Sequence, residues 1–292
     1  MQRLNEPLMH LIEADAAEPV ALPAGHAAQA THAHTPLRID YTQTRVAPEA
    51  WQRLARTPGV VPNDRSALAE TFKMLRNQVL LRLRAEGHKV LAVTSPRAVH
   101  GKSLTALNLA LAIAADYDSA VLLVDGDLAS RQLQRHFALD AAPGLSDHLR
   151  HGEPLPDLLV NPGISRLVFL PAGRQPVSDS AELLGTRAAQ QMIQAMKQRY
   201  ADRYIVIDLP PLLDTADTLA FLPQADTTLL VLEQHVSKIA DIEACAELLA
   251  PFPLIGSVLT PRPDEPAAAG AAGDANRAQV IAPRGWRRWL AS

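Results

Sequence analysis

The sequence predicts an α/β fold, a mostly parallel sheet flanked by helices on both faces, on three observations. Short apolar runs alternate with amphipathic segments from residue 63 to about 262, which is the pattern of right-handed strand-helix-strand crossovers. The runs KVLAVTS, AVLLVDGD, SRLVFLPAG, YIVIDLPP, DTTLLVLEQ and PLIGSVLT carry long apolar stretches rather than strict alternation, as strands covered on both faces do. The first of them runs into His100-Gly101-Lys102-Ser103 at the head of a helical segment, which makes a phosphate loop the natural connection.

Before the first strand, residues 1–62 are rich in Ala, Pro, His and Thr and sustain neither a period of two nor of 3.6, so this segment is expected to be disordered. Its His26, His32 and His34 fit a flexible biased linker or a loose metal site. From Asn63 the texture changes. Leu68, Phe72, Leu75, Val79 and Leu80 recur at helical spacing behind Ser66, a residue suited to capping. Glu70, Lys73 and Arg76 fall three apart and stack along one side of that helix, where they pair with each other or meet charges on a neighbouring subunit.

After KVLAVTS, the residues Leu104, Leu107, Leu109, Leu111 and Ile113 recur among alanines, which marks a well-buried helix. A helix start offers free N–H groups and a positive dipole end to an anion; Lys102 adds a point charge, and the Ser103 hydroxyl suits a Mg²⁺ carried by phosphate. The match to GxxxxGK[ST] is incomplete, because Gly101, Lys102 and Ser103 are in place but Pro96 stands at the first glycine.

AVLLVDGD, the second strand, brings Asp125 and Asp127 to its C-terminal end, where open α/β sheets bind ligands. Continued strand geometry aims both carboxylates to one side, although Asp-Gly also suits a simple turn. PGLSDHLRHGEPLPDLL reads as a loop with a short helix, and SRLVFLPAG as a third strand. Ser180 to Tyr200 reads as one long helix with Leu183, Leu184, Ala188, Met192, Met196 and Tyr200 on its apolar face. The fourth strand, in YIVIDLPPLLDTAD, closes on Asp208, which has the character of a Walker B carboxylate in a chain with a GKS helix start. DTTLLVLEQ, a helix over Ile239 to Leu249 and PLIGSVLT complete the alternation. Pro, Ala and Gly dominate from Pro261 to Asn276, so the fold is expected to end near Arg262 and to leave 263–292 as a flexible tail. The tip of that tail sets Trp286, Trp289 and Leu290 among Arg284, Arg287 and Arg288, a mix suited to an anionic membrane surface or a partner groove.

At 292 residues the chain is long enough for one large α/β domain with tails. A formal charge of −3 and a pI near 6.4 supply no global basic field, which removes nucleic acid as the default partner. The single cysteine, Cys245, excludes an internal disulfide framework and fits a reducing compartment. No stretch approaches the roughly twenty apolar residues of a membrane helix. The expectation is therefore a cytoplasmic protein that reaches a membrane only through a partner or a surface-lying segment.

Several segments in the right order resemble the bacterial tyrosine kinases (BY-kinases), cytoplasmic P-loop autokinases of exopolysaccharide and capsule export, and among them the exosortase-associated tyrosine autokinases. VTSPRAVHGKSLTALNLALAIA is similar to the family's Walker A segment, VLLVDGDL to its extra Walker A′ motif, and IVIDLPPLLDTAD to its Walker B. PGLSDHL, LPAG, AELL and LLVLEQ sit at matching places, and the resemblance spans about Asn63 to Pro261. It implies a P-loop NTPase fold of the deviant Walker A kind shared with MinD-like proteins, and ATP with Mg²⁺ as cofactors. Val99, His100, Gly101, Lys102, Ser103 and Leu104 would then line the nucleotide, with Lys102 on the β- and γ-phosphates. Ser103, Asp125 and Asp208 would hold the metal, and Asp127 would take the proton of an incoming tyrosine hydroxyl, in a transfer that is mainly positioning and charge neutralisation. Glu70, Lys73 and Arg76 match the family's ExxRxxR helix, which packs subunits into a ring, with lysine in place of the first arginine. The implied partner is a membrane polysaccharide copolymerase that recruits the protein to the inner membrane.

Three departures stand beside these matches. Ala98, Val99 and His100 replace the glycine-bearing loop, and a β-branched Val99 resists the positive φ that glycine permits. Ala129 and Ser130 replace the family's basic pair, and no tyrosine follows Tyr204 to form the usual acceptor cluster. A kinase would then act on another protein or on an upstream residue such as Tyr41. The alternatives are a regulatory subunit with weak or no catalysis and a partitioning-type ATPase.

Overall fold

The computed structural model describes residues 44–61, 66–99, 101–199, 203–261 and 280–281. His26, His32, His34, Tyr41, His100, Tyr200 and the Trp/Arg tip lie outside them.

Among the described residues the chain forms one nine-stranded sheet. In chain order it runs β1 (Arg45–Val46), α1 (Pro48–Leu54), α2 (Ala67–Glu86), β2 (Val90–Thr94), α3 (Lys102–Ala114), β3 (Ala120–Asp125), α4 (Gln132–His136), α5 (Leu145–His151) and α6 (Leu155–Leu158). It continues with β4 (Val160–Asn161), β5 (Leu167–Leu170), α7 (Ser180–Leu184), α8 (Arg187–Arg199), β6 (Arg203–Asp208) and α9 (Asp217–Phe221). A 3₁₀ turn (Leu222–Gln224), β7 (Thr227–Glu233), α10 (Ile239–Leu249), β8 (Leu254–Thr260) and β9 (Val280–Ile281) complete it. The strand order is β1-β4-β5-β3-β6-β2-β7-β8-β9. Neighbours are parallel except β4 with β5 and β8 with β9, so the expected mostly parallel sheet is present.

Strand periodicity sorts the apolar side chains into two cores. On β2, Leu91 and Val93 join the cluster beneath α1 to α4, while Val90 and Ala92 join the cluster with residues of α5 to α10. In the first cluster the rings of Phe137 and Phe169 stack with centroids 4.3 Å apart. Both faces being covered explains why the strands are apolar in sequence. The α2 helix begins as expected, since the Ser66 side chain accepts the Ala69 N–H at 3.1 Å. No described helix is long and apolar enough to cross a membrane.

Three boundaries differ from the sequence expectation. The segment 1–62 is not structureless throughout. Within its described part β1 pairs with β4, and Ala47 before α1, then Ala50 and Leu54 on it, are buried, followed by Val60 and Val61. The buried Asn108 on α3 explains the attachment: its Oδ1 accepts the Val61 N–H at 2.8 Å and its Nδ2 donates to the Gly59 carbonyl at 2.7 Å. The sheet does not end near residue 262 either, because β9 adds an antiparallel strand to β8. Finally, the long helix over 180–200 is two helices. Thr186 breaks it by donating its hydroxyl to the Leu183 carbonyl at 2.7 Å while accepting the Ala189 N–H at 3.2 Å, which starts α8 afresh. The restart changes the helical phase, so Ala189 is buried and Ala188 is exposed.

Candidate phosphate and metal site

The central strands β3, β6 and β2 lie side by side, and the acidic residues singled out in the sequence stand at or just beyond their C-terminal ends. Val93 on β2 and Asp125 on β3 are both ladder partners of Asp208 on β6, so motifs more than eighty residues apart in sequence meet at one edge. Gly126 sits close against β6, where a Cβ on it would stand 3.0 Å from the Asp208 carbonyl oxygen. The Gly126 N–H donates to the same oxygen at 2.9 Å.

Lys102, on the first turn of α3, is buried and turned into the carboxylates. Its Nζ lies 2.7 Å from Asp208 Oδ1 and 3.9 Å from Asp127 Oδ2, and it donates to Ser103 Oγ at 3.4 Å. Ser103 in turn donates to Gln132 Oε1 at 3.3 Å. Asp125 Oδ2 accepts the Gln134 N–H at 2.8 Å, and Asp127 Oδ1 accepts the Ser130 N–H at 3.0 Å. Two buried carboxylate oxygens, Asp125 Oδ1 and Asp208 Oδ2, have no partner. Burial, reinforced by the charge of Asp208, pushes the Asp125 carboxyl up to about 8. Burial raises Asp208 as well, against the pull of Lys102.

When all are ionised, three carboxylates face one ammonium, which leaves two negative charges uncompensated. Two orphaned oxygens in that setting fit a divalent cation, since an unpaired buried acceptor is costly and a hard cation takes oxygen ligands. Among the described residues no group of three or more His, Cys, Asp and Glu forms a metal cluster. Mg²⁺ keeps several waters and borrows oxygens from phosphate rather than using an all-protein cage.

The loop itself is held from behind. A Cβ on Gly101 would sit 2.7 Å from the Thr260 hydroxyl at the end of β8, so only glycine lets the helix start approach that strand. Val99 is half-buried and is not among the described non-glycine residues at positive φ, which are Arg131, Ala138, Arg166 and His235. Leu104 points away from the site into the cluster under α1 to α4. His100 lies outside the described residues. Away from the site on α2, Lys73 pairs with Glu70 at 2.7 Å, and Arg76 donates to the Ala112 carbonyl of α3 at 3.2 Å.

Sequence reasoning thus named Lys102, Ser103, Asp125, Asp127 and Asp208, all of which the fold brings together. It missed Gln132 and Gln134, which steady Ser103 and Asp125, and Thr260 behind Gly101. Glutamines on a five-residue helix and a threonine at a strand end carry no motif, so nothing in the sequence distinguished them.

No family model matches the sequence. The chain is 25% identical over 183 residues to the tyrosine-protein kinase ptk of Acinetobacter johnsonii, a match covering 63% of this chain and 24% of that protein. It is 32% identical over 210 residues to the succinoglycan biosynthesis transport protein ExoP of Rhizobium meliloti, covering 70% and 26%. The chain therefore spans about a quarter of the length of these relatives. In structure it is similar to the kinase domain of the Escherichia coli tyrosine kinase ETK, with a TM-score of 0.64, 20% identity and coverage of 76% of this chain and 92% of that one. Against the tyrosine-protein kinase CpsD of Streptococcus agalactiae it is 31% identical over 163 residues, which cover 56% of this chain and 69% of that protein. With that much of a whole relative matched, and with the Walker A, A′ and B residues meeting at one sheet edge, the chain belongs to the bacterial tyrosine kinase family of P-loop proteins.

Proposed function

We propose that the chain is an ATP- and Mg²⁺-dependent protein tyrosine kinase that regulates exopolysaccharide biosynthesis or export. The observation that carries this reading is the convergence of Lys102, Asp125, Asp127 and Asp208 on one strand edge, with two carboxylate oxygens left for a cation. Bound Mg²⁺ would neutralise phosphate charge and fix the nucleotide. Ser103, Asp125 and Asp208 would hold it, directly or through water. Lys102 would serve the β- and γ-phosphates, and Asp127 would accept the proton of the incoming tyrosine hydroxyl. Val99, His100, Gly101 and Leu104 would contribute loop and helix-start backbone around the phosphates. The polysaccharide role is supported by ExoP, whose name refers to succinoglycan biosynthesis and transport. The partner that fits is a membrane polysaccharide copolymerase, which would recruit a cytoplasmic domain to the inner membrane. Self-association would use α2 through Glu70, Lys73 and Arg76.

Phosphotyrosine mapping by mass spectrometry after incubation with Mg-ATP tests the activity. Wild type should gain phosphotyrosine on itself or on a co-purified protein, and Lys102→Met should gain none. Absence of any Lys102-dependent phosphotyrosine would refute the kinase. A regulatory, non-catalytic subunit is the second reading. Lys102 buried against Asp208 and a loop carrying Val99 in place of glycine favour it. Calorimetry separates its forms: micromolar Mg-ATP binding without phosphorylation supports a nucleotide switch, and no binding supports a scaffold.

A further inference from the structure

The first half of the phosphate loop lacks the glycines that usually shape it, yet it is tied down along its length. Beyond the paired residues of β2 and β6 the two strands stay zipped: the Leu209 N–H donates to Val93 O at 2.9 Å, Leu212 to Ser95 O at 2.8 Å and Leu213 to Pro96 O at 3.1 Å. The Ser95 hydroxyl donates to the Arg97 carbonyl at 2.7 Å, which closes a local turn. Where the backbone ladder stops, side chains take over. Asp214 Oδ2 accepts the Ala98 N–H at 3.1 Å while its Oδ1 lies 2.9 Å from Arg97 Nη1. The other edge of the same guanidinium reaches Asp241 Oδ1 on α10 at 3.2 Å, and Nη1 also approaches the Leu213 carbonyl at 3.4 Å.

We propose that Asp214, Arg97 and Asp241 form a brace that holds residues 95–98 in the shape a phosphate needs, which makes Asp214 and Arg97 positioning residues for nucleotide binding. The inference deepens the nucleotide-binding reading and rests on it. A glycine-rich loop reaches its bound shape through backbone freedom, whereas Pro96, Ala98 and Val99 restrict that freedom. A loop with few accessible shapes binds well only if the one it holds is the competent one, because affinity scales with the competent fraction. Asp214 sets that shape by fixing the Ala98 amide through a charge-assisted bond. Arg97 has the planar fork needed to hold two acids at once, so neither carboxylate confronts an incoming phosphate unpaired. Each ion pair is half-exposed and weak alone, but the contacts share one guanidinium and draw on the Walker B loop, the phosphate loop and α10.

The test combines amide hydrogen exchange on the nucleotide-free protein with Mg-ADP calorimetry, on wild type, Asp214→Ala, Asp214→Asn and Arg97→Ala. Asp214→Ala should lose protection at Ala98 and its neighbours and bind Mg-ADP about three- to tenfold more weakly, a range consistent with partly exposed contacts. The loss should fall on nucleotide affinity rather than on turnover at saturation. Asp214→Asn keeps an acceptor for the Ala98 N–H and should retain most of the protection, and Arg97→Ala should resemble Asp214→Ala. Thermal melts within a few degrees of wild type exclude misfolding, and Asp241→Asn, on a separate element, gives a milder loss in the same direction. Unchanged exchange over 95–98 in both alanine variants, or tighter Mg-ADP binding, overturns the brace. If wild type binds no nucleotide, the functional reading fails while the exchange data still decide whether these residues order the loop.

Discussion

Asp125 is fully buried on β3 with one oxygen tied to the Gln134 N–H and the other without a partner. An unfolded aspartate titrates near about 4, whereas burial and Asp208 push this one up to about 8. Between those values the folded chain keeps a proton that the unfolded chain has released, so stability contributed by this group falls as pH rises and levels off above the upper value. In Mg²⁺-free buffer the urea midpoint should accordingly be higher at about pH 5 than at about pH 8. Asp125→Asn, neutral at both, should lose the part of that difference due to this group. A pH slope unchanged in Asp125→Asn would show that the buried carboxyl is not its source. The grouping of Asp125, Asp208 and Lys102 was legible in the sequence because each ends a strand or starts a helix inside a spaced motif, with Asp127 two residues beyond the end of β3. Arg97, Asp214 and Asp241 were not legible as a group. They come from three elements, and only the fold reveals that Arg97 reaches both acids.

The elements were legible in proportion to how much apolar surface they bury. Each of the six long strand segments was read from its composition, because strands covered on both faces are hydrophobic throughout. The α7 to α8 junction was hidden, because Leu183, Leu184, Ala188 and Met192 keep an almost helical rhythm across a break made by one threonine hydroxyl. Asp226 is a similar case at the opposite end of the sheet. It precedes β7 without any motif, yet it caps the start of β2 by accepting the Lys89 and Val90 N–H groups at 2.8 and 2.9 Å, and it binds Lys197 of α8 at 2.6 Å. Burial works against its charge, but the Lys197 ammonium and the two N–H groups together hold its carboxyl below the usual range. Its contribution is therefore complete above the unfolded value of about 4 and is lost as pH falls through the lower folded value. Asp226→Ala should cost about 1 to 3 kcal/mol at neutral pH, as expected when buried donors lose their acceptor. Its deficit relative to wild type should shrink in acid. Chemical denaturation at several pH values measures both effects, and a deficit independent of pH down to about pH 3 would show that the ionised carboxylate is not what matters.

On the scale of the whole molecule, the fold class was legible and its limits were not. Ala, Pro and Gly made both flanks look featureless, since neither period survives in stretches where two residues pair with a strand or a seven-residue helix covers a core. The segment 44–61 is the larger loss. Leu54, Val60 and Val61 are buried in the same cluster as α2 and α3, Ala47 and Ala50 fill beneath them, and Asn108 holds the Gly59 to Val61 backbone against the helix that starts at Lys102. Full burial of a Leu or Val is worth about 1.5 to 3 kcal/mol each, so the three large side chains together contribute on the order of 5 kcal/mol. A chain begun at Asn63, where the helical texture starts, should fold with a stability lower by roughly that amount, because removing the segment uncovers apolar surface on α2 and α3. In the full-length chain, Asn108→Ala should cost about 1 to 3 kcal/mol by leaving the Val61 N–H and Gly59 carbonyl without their partner. Exchange should then rise over 57–61 ahead of the rest of the domain. Denaturant midpoints on the three proteins check this directly. Equal midpoints for the shortened and full-length chains would mean that 44–61 merely rests on a domain complete without it. The predicted drop would instead make these residues part of the support beneath the phosphate-loop helix.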